Sequence, residues 1–232
     1  RARRVIESSR MTTSFLCSTR RLAFSMTISA TCTWRLAGSS NVEDTTSPRT
    51  RPARKLGHDG QHHFFGYYNK STWDRSGRYV LAQRTPWRDV LLRPDSQAEV
   101  GFFDLQEGDR FHALGTTRAW NWQMGSQLQW LDGAPGRQFI YNVRTERSDG
   151  LYPGFGAAIC NADTGATRVL PAPIYVVAPS SQWALSVNYR RLYVTHETIG
   201  YSEPGGPFEL PLAPADDGIW RMELDSGALR LL

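Results

Sequence analysis

The chain has 232 residues, 40% hydrophobic and 12% aromatic, a composition that suits a soluble protein able to bury a sizeable core. Its net charge of +5 is uneven, since residues 1–57 carry eleven Arg or Lys against three Asp or Glu and residues 58–232 carry sixteen against nineteen. The body is therefore slightly acidic, which excludes reading the basic balance as a nucleic-acid-binding body, and three cysteines without metal-ligand spacing exclude a disulfide framework.

Residues 1–57 form a basic arm rich in Arg, Ser and Thr. Its one apolar stretch, residues 22–34, is interrupted by Ser and Thr and is too short for a membrane span. Arg20-Arg21, then Leu22-Ala23-Phe24, then the small-residue stretch 36–40 resemble a weak export signal, which implies a periplasmic or secreted protein. The alternative is a disordered tail, a transit peptide or upstream sequence, with a cytoplasmic body. No chemistry is assigned to the arm.

The run His62-His63-Phe64-Phe65-Gly66-Tyr67-Tyr68-Asn69-Lys70 opens the body. It gathers two imidazoles, four aromatic rings, an amide and an ammonium around one glycine. A strand that only filled a core would use Val, Ile and Leu, because buried polar groups need partners. The run therefore reads as a strand that carries a site.

Beyond it, short strands alternate with Gly, Asp, Asn and Pro, and no amphipathic helix of three turns appears. Three segments end alike: Phe103–Gly108, Ile159–Gly165 and Met222–Gly227 each run an apolar strand into a turn closed by glycine. Such turns call for positive φ. Segments beginning at Trp73, Trp130 and Ala178 precede them as turns feeding alternating strands. The repeat predicts an all-β fold, a partial β-propeller of about three four-stranded blades at residues 62–114, 118–170 and 174–232. Propellers close with more blades, so further blades of the same propeller are expected as partners. The competing architecture is a β-sandwich with similar hairpins.

His62–Ser71 with Trp73-Asp74 and Ser76–Tyr79 resembles the opening blade of a bacterial TolB-like propeller family, distantly similar to the polysaccharide lyases that act on ulvan and oligogalacturonate. Trp120–Gln123 with Leu128–Leu131 fits a second blade, and Pro173–Tyr175 with Asn188–Leu192 a third. The resemblance implies an acidic polysaccharide or oligosaccharide as partner, and β-elimination as the reaction.

That reaction needs a base, an acid and a clamp for the uronate carboxylate, roles that suit His, Tyr and Arg. His63 or His62 is the candidate base, Tyr68 or Tyr67 the acid and Arg190 the clamp. Arg191, Asn188, Gln123 and Lys70 are candidate substrate contacts, and Trp122 is a candidate sugar platform. In an extended strand only one member of each doublet faces a given cleft; His63 and Tyr68 are preferred. Each residue also has a structural reading: the histidines as packing between strands, the tyrosines as core and rim fillers, the arginines as ion-paired surface, and Trp122 as core. No metal site is assigned, because adjacent histidines lack a third ligand at suggestive spacing. No cofactor is required by the sequence, and phosphate-loop, nucleophile-elbow and zincin motifs are missing. The second hypothesis is a non-catalytic propeller module that binds protein or glycan.

Overall fold

The computed structural model describes residues 53–146, 152–203 and 210–232. The arm and its export-signal reading lie outside these residues up to position 52.

Val, Tyr, Phe and Ile concentrate in the segments that become strands, and Gly, Asp and Asn in the turns between them. Strands β1 (His62–Phe64), β2 (Tyr79–Thr85), β3 (Ala98–Asp104) and β4 (Arg110–Thr117) form one sheet. A second contains β5 (Gln129–Trp130), β6 (Gln138–Arg144), β7 (Phe155–Asn161) and β8 (Thr167–Leu170). The third contains β9 (Val176–Val177), β10 (Trp183–Ser186), β11 (Trp220–Glu223) and β12 (Leu229–Leu231). In every sheet the strands lie side by side in chain order and pair antiparallel. The fold is all-β, a partial propeller of three four-stranded blades. Among the described residues one short helix, α1 (Tyr189–Thr195), interrupts the third blade between β10 and β11.

The third and fourth strands of each blade meet in the glycine-closed turns, with Gly108, Gly165 and Gly227 at φ of 68°, 72° and 75°. In the last two the glycine N–H donates to Asn161 or Glu223, at 2.9 and 2.8 Å. The turn that feeds β2 is organised by Asp74, whose carboxylate accepts from the Ser76 hydroxyl and from the backbone N–H groups of Ser76, Arg78 and Tyr79. Burial works to raise its pKa, but these bonds prevail and lower it.

Strand alternation explains where the core sits. In the middle blade Phe139, Tyr141, Ala158 and Cys160 face the first blade, packing on Leu81, Val100 and Phe102. Their neighbours Ile140, Ala157 and Ile159 face the third, packing on Ala184 and Met222. A sheet buried on both faces reads as a continuous apolar run, as in Ala157-Ala158-Ile159-Cys160. Each large side chain fully buried this way contributes about 1.5–3 kcal/mol.

Buried amides tie the blades together. Gln83 donates to the Phe65 carbonyl at 2.7 Å and accepts from the Ser126 N–H at 3.0 Å, joining β2 to the loops on either side. Asn142 does the same between blades two and three: it accepts from the Ile174 N–H at 2.7 Å and donates to the Ile174 carbonyl and the Tyr201 hydroxyl, each at 2.8 Å. Satisfied on both ends, such amides fix how the blades meet.

Two local expectations change. The opening strand stops at Phe64, because Gly66 turns the chain at φ +136°. A Cβ there would lie 2.7 Å from the Met124 carbonyl oxygen, so the position admits no side chain. The segment from Asn188, matched above to a blade, instead starts α1: the Asn188 side chain caps it by accepting from the Arg191 N–H at 3.0 Å.

Candidate functional site

Four aromatic rings gather where β1, the β2–β3 loop and the segment after β4 meet. Phe64 lies 5.1 Å from Trp120 and 5.2 Å from Trp122 between ring centroids. Trp87 stacks on Trp120 at 5.8 Å and meets Trp122 edge-on at 5.9 Å. Trp120 is buried, whereas Trp87 and Trp122 keep part of their rings accessible. Their indole edges are anchored: Trp120 Nε1–H donates to the Ser96 carbonyl and Trp122 Nε1–H to the Val90 carbonyl, both at 2.9 Å. Such ring pairs add about 0.5–1.5 kcal/mol each beyond burial, so the accessible faces are held rigidly.

Trp122 forms one wall of a cavity of about 420 Å³. The β2–β3 loop supplies Val90 and Leu91, and the far side comes from α1 and the turn after it, with Tyr193, Glu197 and Thr198. The Thr198 hydroxyl donates to Gln123 Oε1 at 2.9 Å, closing the rim. Asn121 secures the floor by donating to the Gly200 carbonyl at 2.9 Å and accepting from the Met124 N–H at 2.6 Å. Among the described residues no Lys, Arg or His lines this cavity, and its one carboxylate is Glu197.

Val90 and Leu91 also border a larger hollow of about 790 Å³, with Trp87 in its wall. Its charged groups are paired. Arg84 bonds Glu99 at 2.6 Å and Asp59 at 2.8 Å, and Arg93 contacts Asp95 at 3.2 Å. The two hollows make a bipartite groove on either side of one loop, each with a tryptophan in it.

The candidate lyase residues lie in separate places. His63 turns away from the aromatic groove, packing between Phe103 and Phe111 at 4.9 and 5.1 Å, with Nε2 3.5 Å from Asp59. Burial lowers its pKa, and Asp59 opposes that only in part. His62 shares the strand face of Phe64 by alternation. Tyr67 and Tyr68 do not alternate, since they follow the Gly66 turn: their rings lie side by side at 4.2 Å, with the Tyr67 hydroxyl donating to that of Tyr68 at 3.1 Å. Lys70 lies in a further cavity, over the Tyr175 ring.

Arg190 pairs with Glu203 at 2.8 Å; burial raises the pKa of Glu203, against Arg190 and Arg144. Arg191 and Asn188 both bond Asp217 at 2.9 Å, and the Tyr152 hydroxyl adds a third bond at 3.2 Å. Burial works to raise the Asp217 pKa, but these bonds lower it. Among the described residues Trp122 and Gln123 share the wall of the cavity that also holds Glu197 and Thr198, and Gln123 reaches a second, mostly apolar cavity beside Tyr67 and Tyr175.

Trp87, Tyr193, Glu197 and Thr198 were not singled out by sequence. Trp87 is 35 positions from Trp122, and Glu197 follows a helix that the strand pattern concealed. The available signal was the tryptophan count of the body. Among the described residues no group of three or more His, Cys, Asp or Glu is placed to hold a metal ion, and no helix is long and apolar enough to cross a membrane. No protein-family model, curated protein or solved structure matches the chain.

Proposed function

We propose that this protein is a non-catalytic glycan-binding module whose groove passes Trp122 and Trp87. The observation that carries this reading is the pair of rigidly anchored, partly accessible indoles in adjoining hollows rimmed by hydrogen-bonding side chains. A pyranose ring offers an apolar face of C–H groups, which stacks on an indole, and an equatorial belt of hydroxyls, which bond amides, carboxylates and hydroxyls. Gln123, Glu197 and Thr198 supply those groups beside Trp122. Clefts of this kind, mostly apolar with a few placed polar groups, are how proteins take small ligands. Glu197, with no cation beside it among the described residues of the cavity, favours a neutral sugar there over a uronate.

Calorimetric titration with neutral and uronate oligosaccharides tests the proposal. Neutral oligosaccharides bind, and Trp122→Ala weakens binding about tenfold, the loss of roughly 1.4 kcal/mol of stacking. Ultraviolet absorbance of an unsaturated product, growing with time in the uronate samples, would overturn the non-catalytic reading.

A further inference from the structure

The chain contains two lysines, Lys55 and Lys70, against twenty-five arginines. Cations that only solvate a surface or pair with carboxylates are arginine almost throughout, so a lysine in a cavity is a departure with chemical content. Arginine stays protonated in proteins, whereas a lysine taken out of water can lose its proton and become a nucleophile. Lys55 is exposed and Lys70 is partly buried.

The Lys70 ammonium lies 5.1 Å from the centre of the Tyr175 ring and 3.2 Å from Asn69 Oδ1. Among the described residues it makes no ion pair. It borders a cavity of about 290 Å³ that draws walls from all three blades: Trp73, Gln129, Trp130, Asp132 and Val176 among them. The charged groups across the cavity are Asp132 and Arg75, which face each other at 4.0 Å. The Gln129 amide is already committed, accepting from the Val177 N–H and donating to the Gln127 carbonyl. What remains available is one amine in a cavity of mixed polarity whose flat apolar surfaces are the Trp73 and Trp130 side chains. Burial lowers its pKa to about 8, from an ordinary 10.5.

We propose that Lys70 is a nucleophilic amine that condenses with small aldehydes carrying a flat apolar body, held against Trp73 and Trp130. The nitrogen lone pair adds to the carbonyl carbon while a proton passes from nitrogen to oxygen, giving a carbinolamine. The C–O bond then breaks as the hydroxyl takes a proton from solvent and leaves as water, and the nitrogen lone pair closes the C=N bond. The resulting protonated imine returns its N–H proton to solvent to give the neutral imine; no oxidant or reductant takes part. The reaction reverses on hydration, so the site holds a carbonyl ligand covalently but reversibly. This does not depend on the glycan reading.

The test uses the whole chain with benzaldehyde and cyanoborohydride, the latter only to trap the imine, followed by peptide mass mapping. Lys55 in the same molecule is the reference, so no substitution is needed. At pH 7.5 a lysine of pKa about 8 has roughly two-hundredfold more neutral amine than one at 10.5, and lower basicity offsets part of this, leaving an expected initial-rate advantage of about tenfold for Lys70. The advantage disappears in about 8 M urea, which unfolds the chain. Equal labelling of the two lysines in the native chain, or an advantage that survives unfolding, would overturn the proposal.

Discussion

Two histidines adjacent in sequence have opposite surroundings, because β1 sends His63 to the Phe103–Phe111 side and His62 to the Phe64 side. His63 is thus a packing residue, and its lowered pKa has a thermodynamic consequence. The unfolded chain takes up this proton near pH 6.5, before the folded chain does. The contribution of His63 is therefore complete above about pH 6.5 and is lost as pH falls toward the folded pKa. Urea midpoints at pH 7.5 and 5.5 check this: the wild type drops at the lower pH, and His63→Phe, which keeps an aromatic ring between the two phenylalanines, drops less. Gly66 has the opposite character, a residue without a side chain whose backbone matters. Gly66→Ala places a methyl against the Met124 carbonyl at positive φ, and chemical denaturation should register a loss of about 1–3 kcal/mol. Neither effect was legible from residue type. The run from His62 to Lys70 announced functional groups, but which of them meet depends on a turn whose reason lies about 60 positions away, at Met124.

Elements were more legible than sites. The three glycine-closed turns predicted the β3–β4, β7–β8 and β11–β12 hairpins, and all three glycines take positive φ. Gly165 has open space where a Cβ would go, so Gly165→Ala isolates the backbone strain. A loss of about 1–2 kcal/mol is expected from thermal or urea melting, without change in ligand binding. Helix α1 escaped because two turns around Arg190-Arg191 offer little periodicity, and its start is written in one cap residue. Asn188→Ala removes that cap and one bond to Asp217, and a loss of about 1 kcal/mol in melting experiments follows. The same substitution should weaken glycan binding, since α1 leads into Glu197 and Thr198. The candidate clamp residues were misleading for a related reason. Their partners, Glu203 and Asp217, lie 13 and 26 residues on, and ion pairs at such separations leave no local pattern.

Across the molecule β6 and β7 of the middle blade are deeply buried, whereas β8 is largely exposed and β4 is half-buried to exposed along most of its length. Opening free energies follow burial, so amide hydrogen exchange should be slowest in β6 and β7 and fastest in the fourth strands. Blade-to-blade packing also places the tryptophans: Trp130 faces the first blade, while Trp183 and Trp220 belong to the third, away from the aromatic groove. That separation makes one measurement decisive. In a proton–nitrogen correlation spectrum the indole N–H signals of the body are individual reporters, and a neutral oligosaccharide is added stepwise. Recognition at the aromatic groove predicts saturable shifts of the Trp122 and Trp87 signals, with Trp183 and Trp220 unmoved. Shifts confined to Trp183 or Trp220, or no saturable shift with any oligosaccharide of the panel, would contradict it.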